Sequence, residues 1–328
     1  MPLDLSESLV IGISATALFD LSEADEIFQK TLKEDPDTAI EEYRKHMLEN
    51  EDKPLEDGTG MPLVRALLKL NEFQKDGESP IVEVIVMSRN SPETGFRVLK
   101  EIRRRELKIS RSAFTAGESN VDYLDAFYVD LFLTTNEKDA QKIVDSNVCA
   151  AAIVKAPPKS SEYLNENQVR FAFDADAVIF NEESEIINQT EGLSGFHKNE
   201  DEKQDTPLSR GPHANLLIKL SKMQERLPGR KEFSPVRLAI MTARNSPAEM
   251  RVIKTLRDWD VYVDEAFFLG GLEKSRFLKA FKPHIFFDDQ DSHLDPASED
   301  IPSAKVLYPS HSPLTELIKN RKKANKTE

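Results

Sequence analysis

Short, mostly apolar runs alternate along this chain with longer segments in which apolar residues recur every three or four positions. The runs at residues 169–173, 236–241 and 284–287 have the length and composition of strands that are buried on both faces of a parallel sheet. Residues 98–107 and 252–259 show the period of amphipathic helices. The alternation predicts an α/β protein built from doubly wound, Rossmann-like parallel sheets flanked by helices.

Polar side chains stand where the predicted strands end or where a helix begins. In chain order these residues are Asp174 and Asp176, Thr242, Lys274 at a helix start, and the pair Asp288 and Asp289. In an open parallel sheet the carboxyl ends of the strands meet along one crevice, so these side chains are expected to lie together. An Asp-x-Asp sequence by itself fits an ordinary solvated turn equally well.

The spacing of Asp174 and Asp176 suits phosphoryl transfer. The first carboxylate can attack a phosphorus atom, and the second can protonate the leaving oxygen and then activate the water that cleaves the aspartyl-phosphate. Thr242 would donate a hydrogen bond to a phosphoryl oxygen. Lys274 would offset the repulsion between an anionic nucleophile and an anionic phosphate.

The order Asp-x-Asp, Thr, Lys, Asp-Asp resembles the four motifs of the haloacid dehalogenase (HAD) superfamily, whose members are mostly phosphatases and phosphotransferases. Four segments also resemble the cytosolic 5'-nucleotidase I family: residues 9–20 (LVIGISATALFD), 171–185 (FAFDADAVIFNEESE), 241–244 (MTAR) and 282–290 (KPHIFFDDQ). The likeness extends from about residue 9 to residue 308. It implies a magnesium-dependent hydrolase of nucleoside 5'-monophosphates, with AMP as the usual substrate.

Hard carboxylate oxygens beside a phosphate favour Mg2+ as the cofactor. Asp174 and Asp288 are the expected ligands, and Asp289 would bind the ion directly or through water. The backbone carbonyl of Asp176 is a further ligand implied only by the family resemblance. The candidate substrate-binding residues are Thr242, Ala243, Arg244 and Lys274. For Arg244 two interpretations stay open, a contact with phosphate or ribose and an ion pair with a nearby acid.

The chain also resembles itself. Residues 84–107 (VIVMSRNSPETGFRVLKEIRRREL) and 238–261 (LAIMTARNSPAEMRVIKTLRDWDV) each contain a strand, an Asn-Ser-Pro turn and a helix, with the strands and helices 154 positions apart and the turns 155. Pro and Ser cluster at residues 155–161 (KAPPKSS), which is typical of a linker. The repeat predicts two HAD-like halves, residues 1–158 and 159–328.

The predicted catalytic groups are missing from the first half. Ser14 and Thr16 stand in place of Asp174 and Asp176, Asn120 in place of Lys274, and Thr134-Thr135 in place of Asp288-Asp289. A hydroxyl cannot replace a carboxylate nucleophile or an anionic metal ligand. The first half is therefore predicted to be a degenerate, non-catalytic copy, and the second half to be catalytic.

Three segments of the second half depart from the regular alternation. A small cap insertion is expected at about residues 181–235, between the Asp-x-Asp strand and the Thr242 strand. Its polar run at residues 197–206 (HKNEDEKQDT) predicts a solvated loop, or alternatively a lid that closes over the substrate. The Lys-rich tail from about residue 320 lacks apolar residues and is expected to be disordered. His284 is expected to be structural.

Bulk properties narrow the class of protein. The 328 residues suffice for two domains, and the net charge of −14 disfavours binding to nucleic acid or to anionic membranes. No apolar run approaches the roughly 18 residues that cross a bilayer, and the amino terminus is acidic where a signal peptide is basic. The single cysteine, Cys149, fits a reducing compartment and is expected to behave as a small buried hydrophobe. These features predict a cytoplasmic protein.

Two rival functions remain open from the sequence. The four motifs recognise only the phosphoryl group, so a HAD phosphatase or phosphotransferase acting on a non-nucleotide phosphate ester would carry the same residues. The other rival is a nucleotide-sensing binding protein with little turnover. The expected partner is a nucleoside monophosphate substrate, and the sequence leaves open a nucleotide effector and a homo-oligomer.

Overall fold

Ten strands form one sheet in the computed structural model, which describes residues 4–159, 164–165, 167–229 and 233–317. The strands are β1 (Leu9–Ile13), β2 (Val82–Ser88), β3 (Arg111–Phe114), β4 (Leu131–Thr134), β5 (Ala150–Val154), β6 (Val169–Phe173), β7 (Val236–Thr242), β8 (Glu265–Phe268), β9 (Ile285–Asp288) and β10 (Ser303–Val306). Their order across the sheet is β3-β2-β1-β4-β5-β10-β9-β6-β7-β8. The predicted α/β class is confirmed.

Helices flank this sheet and connect its parallel strands. They are α1 (Ala15–Leu18), α2 (Ser22–Glu34), α3 (Ala39–Glu49), α4 (Met61–Lys69), α5 (Pro92–Arg104), α6 (Val121–Leu124), α7 (Glu137–Ser146), α8 (Glu183–Glu202), α9 (Ala214–Met223), α10 (Glu249–Asp258), α11 (Lys274–Phe281) and α12 (Asp291–Ser298). Local chemistry fixes some of their ends. The Ser91 hydroxyl accepts the backbone N–H of Thr94 at the start of α5, and Pro92 occupies the first helical position.

The sequence repeat appears as two equivalent halves of the sheet. Strands β1 to β5 correspond to β6 to β10, and each set has the same internal order. The halves meet at the antiparallel pair β5–β10, where Ile153 lies opposite Lys305 and the flanking residues pair symmetrically about them. This geometry resembles the two-fold contact of a symmetric dimer. The repeat predicts two separate sheets, but the pairing of β5 with β10 joins them into one. The same pairing covers an edge strand of each half.

The strand order brings the predicted site residues together. Strand β6 lies between β7 and β9, and both of its pairings are parallel. Phe173, the last residue of β6, pairs with Ile240 on one side and with Phe287 on the other. All of these strands are buried, as the continuous apolar runs predict. Their carboxyl ends therefore meet at one edge of the sheet.

Both halves carry helices between their first strand and the helix that packs on the sheet. In the first half these helices are α2 and α3, and in the second half the inserted helix is α8. Helix α9 buries Leu216, Leu217 and Leu220 in the main core. Of the segment predicted as a cap, α8 is thus the inserted part, whereas α9 lies against the sheet in the position that α4 occupies in the first half.

The prediction of a solvated loop at residues 197–206 is wrong for residues 197–202, whereas residues 203–206 form a turn after the helix. Helix α8 continues through Glu202, and Glu200 within it is completely buried. The polar run shows no helical pattern of apolar residues because its one buried side chain, Glu200, is charged. This carboxylate binds two arginines. Polar composition alone therefore does not distinguish a loop from a helix with a charged buried face.

Several smaller expectations concern single residues or segments. Burial raises the pKa of the Cys149 thiol to about 12, which agrees with an inert side chain. His284 is structural as predicted, because it is buried and its Nδ1 lies 3.1 Å from the backbone N–H of Arg170. The predicted disordered tail and part of the predicted linker lie outside the described residues. Within the described part of the chain, no helix is long and apolar enough to cross a membrane.

His213 gives the fold a dependence on pH. It precedes α9, lies completely buried against the ring of Phe287, and neither ring nitrogen has a hydrogen-bond partner among the described residues. Burial lowers its pKa to about 3. The folded protein therefore holds this imidazole neutral, whereas the unfolded chain takes up a proton below about pH 6.5. Stability is lost as the pH falls from about 6.5 towards 3.

We expect His213→Leu to reduce this acid destabilisation. Between pH 7 and pH 5, the free energy of unfolding of the variant should fall by about 2 kcal/mol less than that of the wild type. Urea unfolding of both proteins at the two pH values measures the difference. Equal losses in the two proteins would contradict the assignment of a neutral, buried imidazole.

Candidate active site

Asp174 stands directly after β6, in the middle of the second half of the sheet. Its backbone N–H donates to the carbonyl of Phe287 on β9 at 2.8 Å. The chain then makes a tight turn over Ala175–Ile179, in which Asp176 is extended and Ala177 has a φ of 60°. A non-glycine residue in this left-handed region is uncommon and costs of order 1 kcal/mol. The tight turn keeps Asp174 only 5% exposed at the edge of the sheet.

A lysine ammonium bridges two buried carboxylates at this edge. Lys274 Nζ lies 2.8 Å from Asp174 Oδ1 and 2.7 Å from Asp288 Oδ2. Burial raises the pKa of Asp174 to about 7, although Lys274 acts in the opposite direction. Burial also disfavours the ionised form of Asp288, but Lys274 and His293 hold its pKa below the usual value. The pKa of Lys274 is raised because the two carboxylates outweigh its burial.

Thr242 completes the predicted set at the end of β7. It is buried, and its Oγ1 accepts the backbone N–H of Arg244 at 3.2 Å, which fixes the turn after the strand. Gly270 and Gly271, which precede α11, have φ values of 57° and 86°. A Cβ at Gly271 would meet nothing within 4 Å. Conformation, not lack of space, therefore favours glycine at this position, on the loop that leads to Lys274.

The same edge carries donors that fit a divalent cation. Asp174, Asp288 and His293 each place one ligand atom within 4.8 Å of the others. Asp289 accepts a hydrogen bond from the Tyr308 hydroxyl through Oδ2, while its buried Oδ1 has no partner among the described residues. Burial, with the charges of Asp288 and Asp174, raises the pKa of Asp289 well above its usual value. A buried, unpaired oxygen among carboxylates suits a hard cation.

Asp176 has a different partner from Asp174. Its two oxygens accept from Arg244 Nη2 at 2.5 Å and from Arg244 Nε at 2.8 Å. The same guanidinium donates through Nη1 to Glu200 Oε2 at 2.5 Å. Of the two interpretations of Arg244, the ion pair with a nearby acid is thus the one observed. The side chain of Asp176, predicted as the general acid and base, is held by this arginine, and the prediction that its backbone carbonyl binds the metal concerns a different atom.

The first half shows the same backbone without the charges. The N–H of Ser14 donates to Leu133 at 2.9 Å, which is the counterpart of the Asp174 bond on β9. The Thr16 hydroxyl lies 2.7 Å from that of Thr135 and 3.1 Å from that of Ser14. The hydroxyls that replace carboxylates therefore bond to one another, and the first-half crevice is polar but uncharged at these positions.

Four residues of the site were not predicted from the sequence: His293, Tyr308, Glu200 and Arg251. His293 could have been found, because it lies five positions after Asp288 on the first turn of the following helix. Tyr308 follows β10, and nothing in its local sequence links it to Asp289. Glu200 was in the polar run interpreted as a loop, and its contact with Arg251 joins elements 51 positions apart.

Comparison with known proteins supports a single family. The family model described as 5'-nucleotidase matches residues 1–313. The chain is 30% identical over 296 residues to the human protein named cytosolic 5'-nucleotidase 1B; the match covers 88% of this chain and 47% of that protein. The chain thus spans about half the length of this relative. No solved structure matches it. With the family model covering nearly its whole length, this chain belongs to the 5'-nucleotidase family.

Proposed function

We propose that this protein is a Mg2+-dependent 5'-nucleotidase that hydrolyses nucleoside 5'-monophosphates, with AMP as the model substrate, through an aspartyl-phosphate. The observation that carries the proposal is Lys274 Nζ, which lies within 2.8 Å of the two buried carboxylates Asp174 and Asp288. A nucleophile, a fixed positive charge and a set of cation ligands then lie at one edge of the sheet, as in-line phosphoryl transfer requires.

In the proposed first step, Asp174 Oδ attacks the 5'-phosphorus while the bond to the ribose 5'-oxygen breaks. Lys274 stays beside the nucleophile and offsets the repulsion between the carboxylate and the phosphate dianion. Thr242 donates its hydroxyl to a phosphoryl oxygen. The backbone of Ala243 follows directly after Thr242, so it would line the phosphate side of the pocket, whereas the Arg244 side chain is held by Asp176 and Glu200.

Asp176 would protonate the 5'-oxygen as it leaves, and would then remove a proton from the water that cleaves the aspartyl-phosphate. It accepts from Arg244 through both oxygens, so one oxygen must exchange this bond for the 5'-oxygen during the reaction. The second step releases inorganic phosphate and restores the Asp174 carboxylate.

Mg2+ would be held by Asp174 and Asp288, with Asp289 and the Asp176 backbone carbonyl as further oxygen ligands. His293 lies within the same group, but Mg2+ prefers oxygen, so the imidazole is assigned to orienting Asp288. When bound, the ion would neutralise phosphoryl oxygens and orient the phosphate for attack.

The roles of the halves belong to the same proposal. Residues 1–158 would form the non-catalytic half and residues 159–328 the catalytic half with its inserted helix α8. The cytoplasm is the proposed location, which agrees with the name of the human relative. A nucleotide effector would bind in the first-half crevice. A homo-oligomer is compatible with this proposal.

Release of phosphate tests the proposed function. We expect AMP and other nucleoside 5'-monophosphates to be hydrolysed faster than sugar phosphates, and Asp174→Asn to lower turnover about 100-fold or more because an amide cannot form the acyl-phosphate. Asp258→Asn, an exposed change on α10, is the matched control and should retain full activity. Preference for a sugar phosphate would point to a different substrate class, and an active, folded Asp174→Asn would exclude this nucleophile.

The metal requirement forms a second prediction. EDTA should abolish activity and Mg2+ should restore it, because several carboxylates and a phosphate dianion otherwise crowd one site. Asp288→Asn should raise the Mg2+ concentration for half-maximal activity about tenfold or more. Asp289→Asn serves as the comparison. If Asp289 binds the ion through water, this variant should raise the Mg2+ concentration for half-maximal activity by less than Asp288→Asn does. A Mg2+ titration unchanged in Asp288→Asn would remove that residue from the ligand set.

A third prediction concerns the first half. Ser14→Ala and Thr134→Ala should leave basal kcat within about twofold of the wild type, because neither hydroxyl carries the charge that the chemistry needs. Steady-state kinetics with and without ADP, ATP or GTP separates two roles. An effector site would show altered activation at unchanged basal rate. A loss of basal activity comparable to that of Asp174→Asn would show that the first half takes part in the chemistry.

A further inference from the structure

A continuous series of buried ion pairs joins α8 to Asp176. Arg244 donates to Asp176 through two nitrogens and to Glu200 through the third. Glu200 accepts in addition from Arg251 Nη1 at 3.0 Å and from the Ser184 hydroxyl at 2.8 Å. Glu200, Arg244 and Arg251 are 0%, 3% and 2% exposed, so solvent screens these contacts little.

Helix α8 contacts Arg244 with two side chains. Phe196 lies one helical turn before Glu200, and the centre of its ring is 5.2 Å from the Arg244 guanidinium carbon. The planar guanidinium is thus held by a ring against its face and by carboxylates at its edge. A guanidinium held on its face and along its edge has few alternative orientations. Its two hydrogen bonds to Asp176 therefore fix the position of that carboxylate.

The first half offers an internal comparison for this series. Arg97 corresponds to Arg251 by the offset of 154 positions and is likewise buried against an inserted helix. Its neighbour there is the Met47 sulfur, 3.9 Å from Nη1, and no described carboxylate lies within ion-pair distance of it. This arginine is therefore buried under an inserted helix with no described glutamate in ion-pair contact with it, and Glu23 of α2 acts on its charge only from a distance.

The shared run Arg-Asn-Ser-Pro makes Arg89 the counterpart of Arg244. Arg89 pairs with Asp139 on α7 at 2.8 Å, not with an acid of an inserted helix.

The buried carboxylate of Glu200 is thus present in the half that has Asp176. The other half, in which Thr16 replaces Asp176, has no such buried carboxylate on its inserted helices α2 and α3. If the glutamate served only to attach the inserted helix, it would be equally useful in both halves. We propose that Glu200 is a positioning residue for Asp176: it fixes Arg244, and Arg244 fixes the carboxylate that protonates the leaving 5'-oxygen. Correct placement of α8 on the body is thereby required for the leaving-group step. This inference rests on the proposed function and assigns a role in it to the inserted helix.

The test uses two substrates that differ in one atom, AMP and its analogue with sulfur in place of the bridging 5'-oxygen. An alkoxide must be protonated as it leaves, whereas a thiol ionises near pH 8.5 and leaves as the thiolate. The values of kcat/KM report formation of the aspartyl-phosphate with each. The base, the ribose and the phosphoryl group are the same in both substrates. A variant that only binds substrate more weakly therefore lowers kcat/KM equally for both.

We expect Glu200→Gln to lower kcat/KM for AMP about tenfold to a hundredfold, and for the thio analogue by less than about threefold. Glu183→Gln is the matched control, because this residue lies in the same inserted segment, on the other side of the kink at Gly192, and pairs with the partly exposed Lys203. It should change neither value by more than about twofold. Equal losses with both substrates, or no loss with either, would overturn the positioning role.

Ser184→Ala provides a second variant if Glu200→Gln does not fold. It removes one hydrogen bond from Glu200 and keeps every charge. We therefore expect kcat/KM for AMP to fall about threefold and kcat/KM for the thio analogue to fall less. A uniform decrease would contradict the proposal in this variant also. Failure of the proposed function would look different, because the wild-type protein would then hydrolyse neither substrate.

Discussion

The lysine ammonium between two buried carboxylates is the interaction on which the rest of the site depends. Asp174 and Asp288 come from neighbouring strands and lie almost out of solvent. Two like charges in that position would repel each other and would lose several kcal/mol of hydration each. Lys274 offsets both effects from a third element, α11. These groups meet at one edge because β7, β6 and β9 are parallel neighbours in the sheet. The glycine-containing loop before α11 brings the lysine to the same edge.

The internal repeat separates what the scaffold needs from what the chemistry needs. Both halves keep the same strand order and the same backbone hydrogen bond after the first strand. The half that lacks the carboxylates also lacks the lysine and the buried glutamate on its inserted helix, and its counterpart of Arg244, Arg89, pairs with Asp139 instead. The first half therefore forms the same strand order without the charged groups that the chemistry needs. The symmetrical β5–β10 pairing explains how two such units make one sheet.

Local patterns predicted the strands, the flanking helices and the residues at strand ends, because burial on both faces of a parallel sheet demands apolar runs followed by polar turns. The partners of those residues were harder to predict. The Asp289 contact with Tyr308 and the Glu200 contacts with Arg244 and Arg251 join distant segments, and their sequences carry no period or motif. The last turns of α8, residues 197–202, have the sequence of a loop because a completely buried glutamate contradicts the usual hydrophobic pattern. The union of the two halves in one sheet likewise depends on strand edges, which composition does not reveal.

The central claim is that Asp174 carries the phosphoryl group during turnover. Rapid quenching of the enzyme during hydrolysis of AMP, followed by borohydride reduction and peptide mass spectrometry, identifies an aspartyl-phosphate because reduction converts the modified residue to homoserine. The account predicts homoserine at position 174, dependent on substrate and on Mg2+. Substrate-dependent homoserine at another carboxylate, or active turnover with none at position 174, would contradict it.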